Sequence, residues 1–169
     1  MNDTARYARI ETEFGRLLVA YQPGDGRITA SMLDGDEGAF LRGLIEASGE
    51  PPGLDLQAPP QLAANVSQAI EATVDPGCVD LASLSRFQRR VLEATAAIPR
   101  GEVRTYGEIA LAIGSPGAAR AVGTALAKNP LPVVIPCHRV VRANGDLGNY
   151  SGPGGPGSKE RLLRLEGAI

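Results

Sequence analysis

The 169-residue chain is 43% hydrophobic and 21% charged with a formal net charge of -2, the composition of an ordinary soluble globular protein long enough for one domain or two small ones. Its two cysteines allow at most one disulfide and, with a single histidine, cannot assemble a four-ligand N/S zinc site, so a disulfide scaffold and a zinc-finger-type module are both excluded. No stretch has the apolar length of a membrane span, and Met1-Asn2-Asp3-Thr4 lacks the basic and apolar regions of a secretion signal, so the expected location is cytoplasmic, with no membrane partner.

The net charge conceals an asymmetry. Residues 1–85 carry 5 Lys/Arg and 13 Asp/Glu, whereas residues 86–169 carry 12 and 6. An acidic unit is therefore joined to a basic one suited to a polyanion. The expected division is 1–82 and 83–169, in an α+β chain of two domains.

In the first unit, residues 6–11, 16–21 and 27–33 read as strands separated by turns at Phe14-Gly15 and Pro23-Gly24-Asp25-Gly26, which predicts a small antiparallel sheet. Phe40, Leu41, Leu44 and Ile45 predict a covering helix over 37–48. After a Pro-rich linker at 51–60, Leu62, Val66, Ala69, Ile70 and Val74 predict a second. Nothing in this half looks chemical, and Cys78 reads as a small packed residue.

The second unit is expected to be mostly helical. Ser85-Arg86-Phe87-Gln88 and Thr105-Tyr106-Gly107-Glu108 have capping-box spacing, each opening a helix. The second of these is short and is followed by a tight Gly114-Ser115-Pro116-Gly117 turn and a helix from about 118 to 128. That is the helix-turn-helix pattern, which either binds DNA or only packs. The last helix is almost bare of bulk, with Arg120 its one long side chain near the start. It suits close approach to a groove, or close packing on another helix.

Val133-Val134-Ile135 reads as a buried strand leading into Pro136-Cys137-His138-Arg139. His138, the only histidine, is the first candidate to tune the Cys137 thiol. Neighbours on an extended backbone point apart, so the pair needs a bend or a bridging water. Residues 143–157, rich in Gly and Pro around Tyr150, read as a binding loop, and a closing helix is expected over 158–166.

Taken together, Tyr106, Ala119-Arg120-Ala121-Val122-Gly123, Asn129-Pro130, the segment from Ile135 through Pro136-Cys137-His138-Arg139 to Val141, Gly148-Asn149-Tyr150-Ser151-Gly152, and Lys159, Leu162-Leu163 and Glu166-Gly167 closely resemble the O6-alkylguanine-DNA alkyltransferases, also called methylated-DNA–protein-cysteine methyltransferases. The resemblance implies a monomeric suicidal repair protein without cofactor or metal. Its partner is double-stranded DNA containing O6-alkylguanine, entered from the minor groove, with the damaged base flipped out. It implies that Cys137 accepts the alkyl group, that His138 takes the thiol proton through a water while Glu166 orients the imidazole, and that Tyr106 donates a hydrogen bond to the base. By the same resemblance Asn129 ties the recognition helix to the Cys137 turn. Arg120, with Tyr106, Ala119, Ala121 and Gly123, contacts DNA. Tyr150, Ser151, Val140 and Pro132 line the pocket. The alternative from the same fold is a lesion-recognition protein without transfer chemistry, whose relatives lack the cysteine. Leu92 and Arg161 stand where many relatives differ, and the loop after Ser151 is about two residues longer and richer in Gly and Pro.

Overall fold

The computed structural model describes residues 4–169, so the reading of the extreme N-terminus as leaderless falls on residues 1–3 outside the described part. Strand β1 (Arg6–Thr12) turns back at Phe14-Gly15 into β2 (Gly15–Tyr21), which pairs antiparallel with β3 (Ile28–Leu33). The turn requires glycine: Gly15 has φ +128, and Thr12 Oγ1 donates to its carbonyl at 2.7 Å. Helix α1 (Glu37–Ser48) follows as predicted, with Asp36 capping the Ala39 amide at 2.7 Å.

One expectation fails here. Within the presumed linker, β4 (Gly53–Asp55) joins the sheet parallel to β1, giving a mixed sheet of order β3-β2-β1-β4 rather than an all-antiparallel one. Three residues led by glycine carry no alternation to read. What holds them is tertiary: the Arg6 guanidinium pairs with Asp55, which also accepts from the Tyr21 hydroxyl.

The two faces of the sheet bury different things, as the period of two requires. Leu18 and Ala20, with Tyr7, face Phe40 of α1. Leu17, Val19 and Tyr21 face the other way, into a core that takes in Leu62, Val66, Ala69 and Ile70 of α2 (Pro60–Glu71) and continues through the C-terminal half. A short 3-10 turn, Pro76–Cys78, leads to α3 (Arg86–Ala96), where Ser85 and Gln88 form the expected reciprocal cap. Leu92, at one of the positions where relatives differ, is fully packed in this core.

Strand β5 (Arg104–Thr105) precedes α4 (Tyr106–Ala112), whose capping box is made by Thr105 and Glu108. Each such cap is worth about 1 kcal/mol, enough to fix the start of a helix this short. Gly114 and Gly117, at φ +66 and +85, turn the chain into α5 (Ala119–Ala127). Val122, Ala125 and Leu126 are buried, while Arg120, Ala121 and Thr124 are exposed. The helix-turn-helix pattern is therefore present as two packed helices with an open outer face.

The predicted strand at 133–135 does not form. The segment is a buried turn in which Val133 takes φ +74 and the Ile135 amide donates to the Leu131 carbonyl at 2.7 Å. A short apolar run does not distinguish a core strand from any other fully buried backbone, and here Asn129 decides. Its Oδ1 accepts from the Leu131 amide at 2.9 Å and its Nδ2 donates to the Ile135 carbonyl at 3.0 Å, which bends the run.

A 3-10 turn, Cys137–Arg139, and β6 (Val140–Val141), parallel to β5, complete the segment. The last helix, α6 (Gly155–Leu165), starts three residues earlier than expected, taking in part of the Gly/Pro loop. Proline is accommodated in a first turn, where its missing N–H costs nothing. No helix of the described residues is long and apolar enough to cross a membrane.

Candidate active site

Cys137 opens the 3-10 turn at the floor of a cleft of about 760 Å³. Tyr106, Tyr150 and Ser151 form one part of the wall, and Ala119, Arg120 and Gly123 of α5 form another. The turn supplies the bend that the Cys137-His138 pair needs. His138 is wholly buried behind the thiol.

Its Nε2 lies 2.9 Å from Glu166 Oε1, at the end of α6. Its Nδ1 is buried with no protein hydrogen-bond partner among the described residues, and the Tyr150 hydroxyl is in the same condition. A buried polar atom without a partner costs about 1–3 kcal/mol, so both atoms call for a hydrogen-bonding partner.

Burial pushes the Cys137 thiol up, opposed by a hydrogen bond from Asn129 and by the charge of Lys159. Burial lowers His138 against the pull of Glu166. At rest the pair is therefore thiol and neutral imidazole, an acid and a base poised for one proton transfer. Burial also pushes Glu166 up, but hydrogen bonds from His138 and Arg139 outweigh it and hold the carboxyl at about 2. Glu166 is a carboxylate ready to stabilise an imidazolium.

Two charged residues of this site stand in the motifs that carry the resemblance but were given no role from the sequence. Arg139 is fully buried and closes on Glu166, Nη2 to Oε1 at 2.8 Å and Nε to Oε2 at 3.0 Å. Lys159 is equally buried, with Nζ donating to the Val140 carbonyl at 2.5 Å and lying 5.7 Å from the Tyr106 ring centroid. Burial brings its ammonium down to about 8. Motif membership marked them, but their burial was not legible: a lone Arg or Lys in a basic half reads as solvated surface until its acceptors are known. Arg142, exposed and lining the cleft, was also passed over.

The other predicted residues are placed as follows. Tyr106 is half-buried, its ring against Gly123 and Gly148, and a Cβ on Gly148 would come within 2.9 Å of its hydroxyl. Asn129 joins the end of α5 to the Cys137 turn. Arg120 is exposed and in no ion pair among the described residues, and Ala121 is exposed beside it. Val140 is fully buried and contributes its carbonyl to Lys159 rather than its side chain to the cleft wall. Pro132 lies away from the cleft, its carbonyl accepting from the Ser31 hydroxyl at 2.7 Å. No group of three or more His, Cys, Asp or Glu among the described residues is arranged to hold a metal ion.

Residues 86–168 match the family model for the DNA-binding domain of 6-O-methylguanine DNA methyltransferase. The fold is similar to that of Mycobacterium tuberculosis OGT solved in complex with DNA, at 35% identity and a TM-score of 0.72 over 96% of this chain and 93% of that one. The chain belongs to the O6-methylguanine-DNA methyltransferase family. A methyltransferase from Pyrococcus kodakaraensis is also similar, at 26% identity and a TM-score of 0.69 over 97% of this chain and 99% of that one. Among curated relatives, a methylated-DNA–protein-cysteine methyltransferase of Mycolicibacterium paratuberculosis is 57% identical over 82 residues, 48% of this chain and 48% of the relative. The match therefore spans about half the length of the curated relatives.

Proposed function

We propose that the chain repairs alkylated DNA by moving the alkyl group from O6-alkylguanine onto Cys137, once per molecule. The observation that carries this reading is the Cys137 thiol at the floor of a cleft walled by α5, with the buried His138 and Glu166 behind it. A guanine O6 stacked in duplex DNA is out of reach of such a thiol, so the base must leave the helix and enter the cleft.

His138 draws the thiol proton through a bridging water at Nδ1, and Glu166 stabilises the imidazolium at Nε2. The thiolate attacks the alkyl carbon. The S–C bond forms, the C–O6 bond breaks with its electron pair going to the base, and guanine takes up a proton to leave as the normal base. Tyr106 supports the base through its hydroxyl, Asn129 holds the turn, and Tyr150 and Ser151 line the pocket. The resulting thioether has no hydrolytic exit, which makes the protein single-use. Both cysteines are free thiols, in keeping with the reducing cytoplasm we assign to it. The division at 82/83 belongs to the same proposal, supported by the charge reversal there and by the family match beginning at residue 86.

Intact-protein mass spectrometry after incubation with a duplex containing O6-methylguanine tests the reading. One added methyl group per chain and no second turnover is expected. DNA binding without any mass change would replace it with lesion sensing.

Arg120 is assigned the gap that the flipped base leaves. Arg120→Ala is expected to slow transfer from duplex DNA about tenfold or more, since unstacking costs a few kcal/mol that the arginine helps to offset. Reaction with free O6-benzylguanine, which needs no flipping, should stay within about twofold. Equal losses on both substrates in single-turnover assays would remove the flipping role.

A further inference from the structure

The acidic N-terminal half shows no chemistry in sequence, yet one of its side chains touches the proton relay. Phe14, fully buried at the tip of the β1–β2 hairpin, meets the His138 ring edge to face, with centroids 6.3 Å apart and planes at 74°. The tip is rigid. The Phe14 amide donates to Thr12 Oγ1 at 3.2 Å, beside the glycine turn described above.

Phe14 is itself held from outside. The Arg100 guanidinium lies 5.6 Å from its ring centroid and pairs with both carboxylate oxygens of Glu13, one of them at 3.0 Å. The same guanidinium donates to the Leu165 carbonyl at 3.1 Å, one residue before Glu166. The hairpin tip thus reaches both members of the relay, His138 through Phe14 and the end of α6 through Arg100.

We infer that Glu13, Phe14 and Arg100 form a clamp, contributed largely by the N-terminal unit, that positions the His138 imidazole and the Glu166 end of α6 for proton transfer from Cys137. The reason is geometric. Among the described residues the His138 ring has one protein hydrogen bond, at Nε2, and a single protein bond does not by itself fix the ring's rotation. The edge-to-face contact with Phe14 limits that rotation and holds the ring orientation in which Nε2 meets Glu166. Phe14 also adds to the burial that favours the neutral imidazole at rest. The charged and titratable groups facing His138 are Glu166 and Lys159 from α6, Arg139 and Cys137 on its own turn, and the Arg100–Glu13 pair across Phe14.

This inference rests on the proposed transfer reaction, and its test separates the two. Four proteins are compared: wild type, Phe14→Leu, Glu13→Ala, and Leu18→Ala. The last removes core volume on the opposite face of the same sheet. Single-turnover methyl transfer from an O6-methylguanine duplex is measured against pH. Because the chain has one histidine, the His138 titration is followed by NMR in the same samples.

Phe14→Leu is expected to slow transfer about tenfold near neutral pH and to move the acidic limb of the profile and the His138 titration upward by about one pH unit. Glu13→Ala, which leaves the core intact, should slow transfer about threefold without raising the His138 titration, because it leaves the Arg100 cation uncompensated. Leu18→Ala should lower the melting temperature without moving either. Wild-type rates and titrations in both clamp variants, or the same changes in Leu18→Ala, would overturn the clamp. If the wild type takes up no methyl group, the repair reading falls, and the His138 titration still decides the clamp.

Discussion

Cys137→Ala is expected to abolish methyl uptake, with a loss in transfer rate beyond about ten-thousand-fold, the scale seen when a covalent nucleophile is removed. The other thiol cannot substitute. Cys78 ends the 3-10 turn Pro76–Cys78 and lines no part of the cleft, and burial followed by the charge of Asp75 pushes its thiol up, away from reactivity. The substitution removes only a sulfur from a side chain that is 6% exposed, while Arg120, Ala121 and Thr124 on the outer face of α5 are left in place. Affinity for a lesion-containing duplex should therefore stay within about threefold of wild type, because phosphate contacts dominate such binding. Mass spectrometry and fluorescence anisotropy on the same preparation read the two properties. A mass gain that persists in Cys137→Ala would place the acceptor elsewhere, and a matching loss of binding would mean that the substitution had damaged the fold.

The sequence exposed the parts of this molecule whose determinants are local. Both capping boxes form as written, because Ser85 with Gln88 and Thr105 with Glu108 interact across only three residues. The three N-terminal strands and α1 follow from turns and periodicity in the same way. The errors arose where side-chain hydrogen bonds decide against the hydrophobic pattern. Residues 133–135 are bent by Asn129, and β4 is held by Arg6 on the strand beside it and Tyr21 on the next.

The site divides along the same line. Cys137, His138, Tyr106, Asn129 and Glu166 lie in motifs with family spacing. Arg139 lies in the same motif, but its partner Glu166 is 27 residues away, and Phe14 lies in no motif and meets His138 124 residues on, so both act only through folding. No window along the sequence shows that an aromatic residue in an acidic hairpin will rest on an imidazole in a basic half.

Arg139 carries the largest expected effect on stability. Its guanidinium donates to both carboxylate oxygens of Glu166 and also to the carbonyls of Ile98 at 2.6 Å, Ala72 at 3.3 Å and Ile70 at 3.4 Å, which closes the end of α2 against the active-site turn. Arg139→Met fills much of the space but leaves Glu166 as a buried carboxylate with His138 its one remaining partner. Breaking one side of such a pair costs about 3–5 kcal/mol, a fall in melting temperature of about 10 °C for a chain of this size.

The pH dependence fixes the cause. Glu166 is held down to about 2, below the usual carboxylate value of 4.5, so its contribution is complete above 4.5 and is lost as pH falls from there through about 2. Urea unfolding of wild type and Arg139→Met should differ most at neutral pH and converge toward pH 2 as Glu166 is protonated. Adding Glu166→Gln to Arg139→Met should restore part of the stability, because it removes the stranded charge while keeping a hydrogen-bonding group near His138. A gap between the two proteins that widens in acid, or a double variant weaker than the single one, would show that Arg139 acts through its carbonyl contacts and not through Glu166.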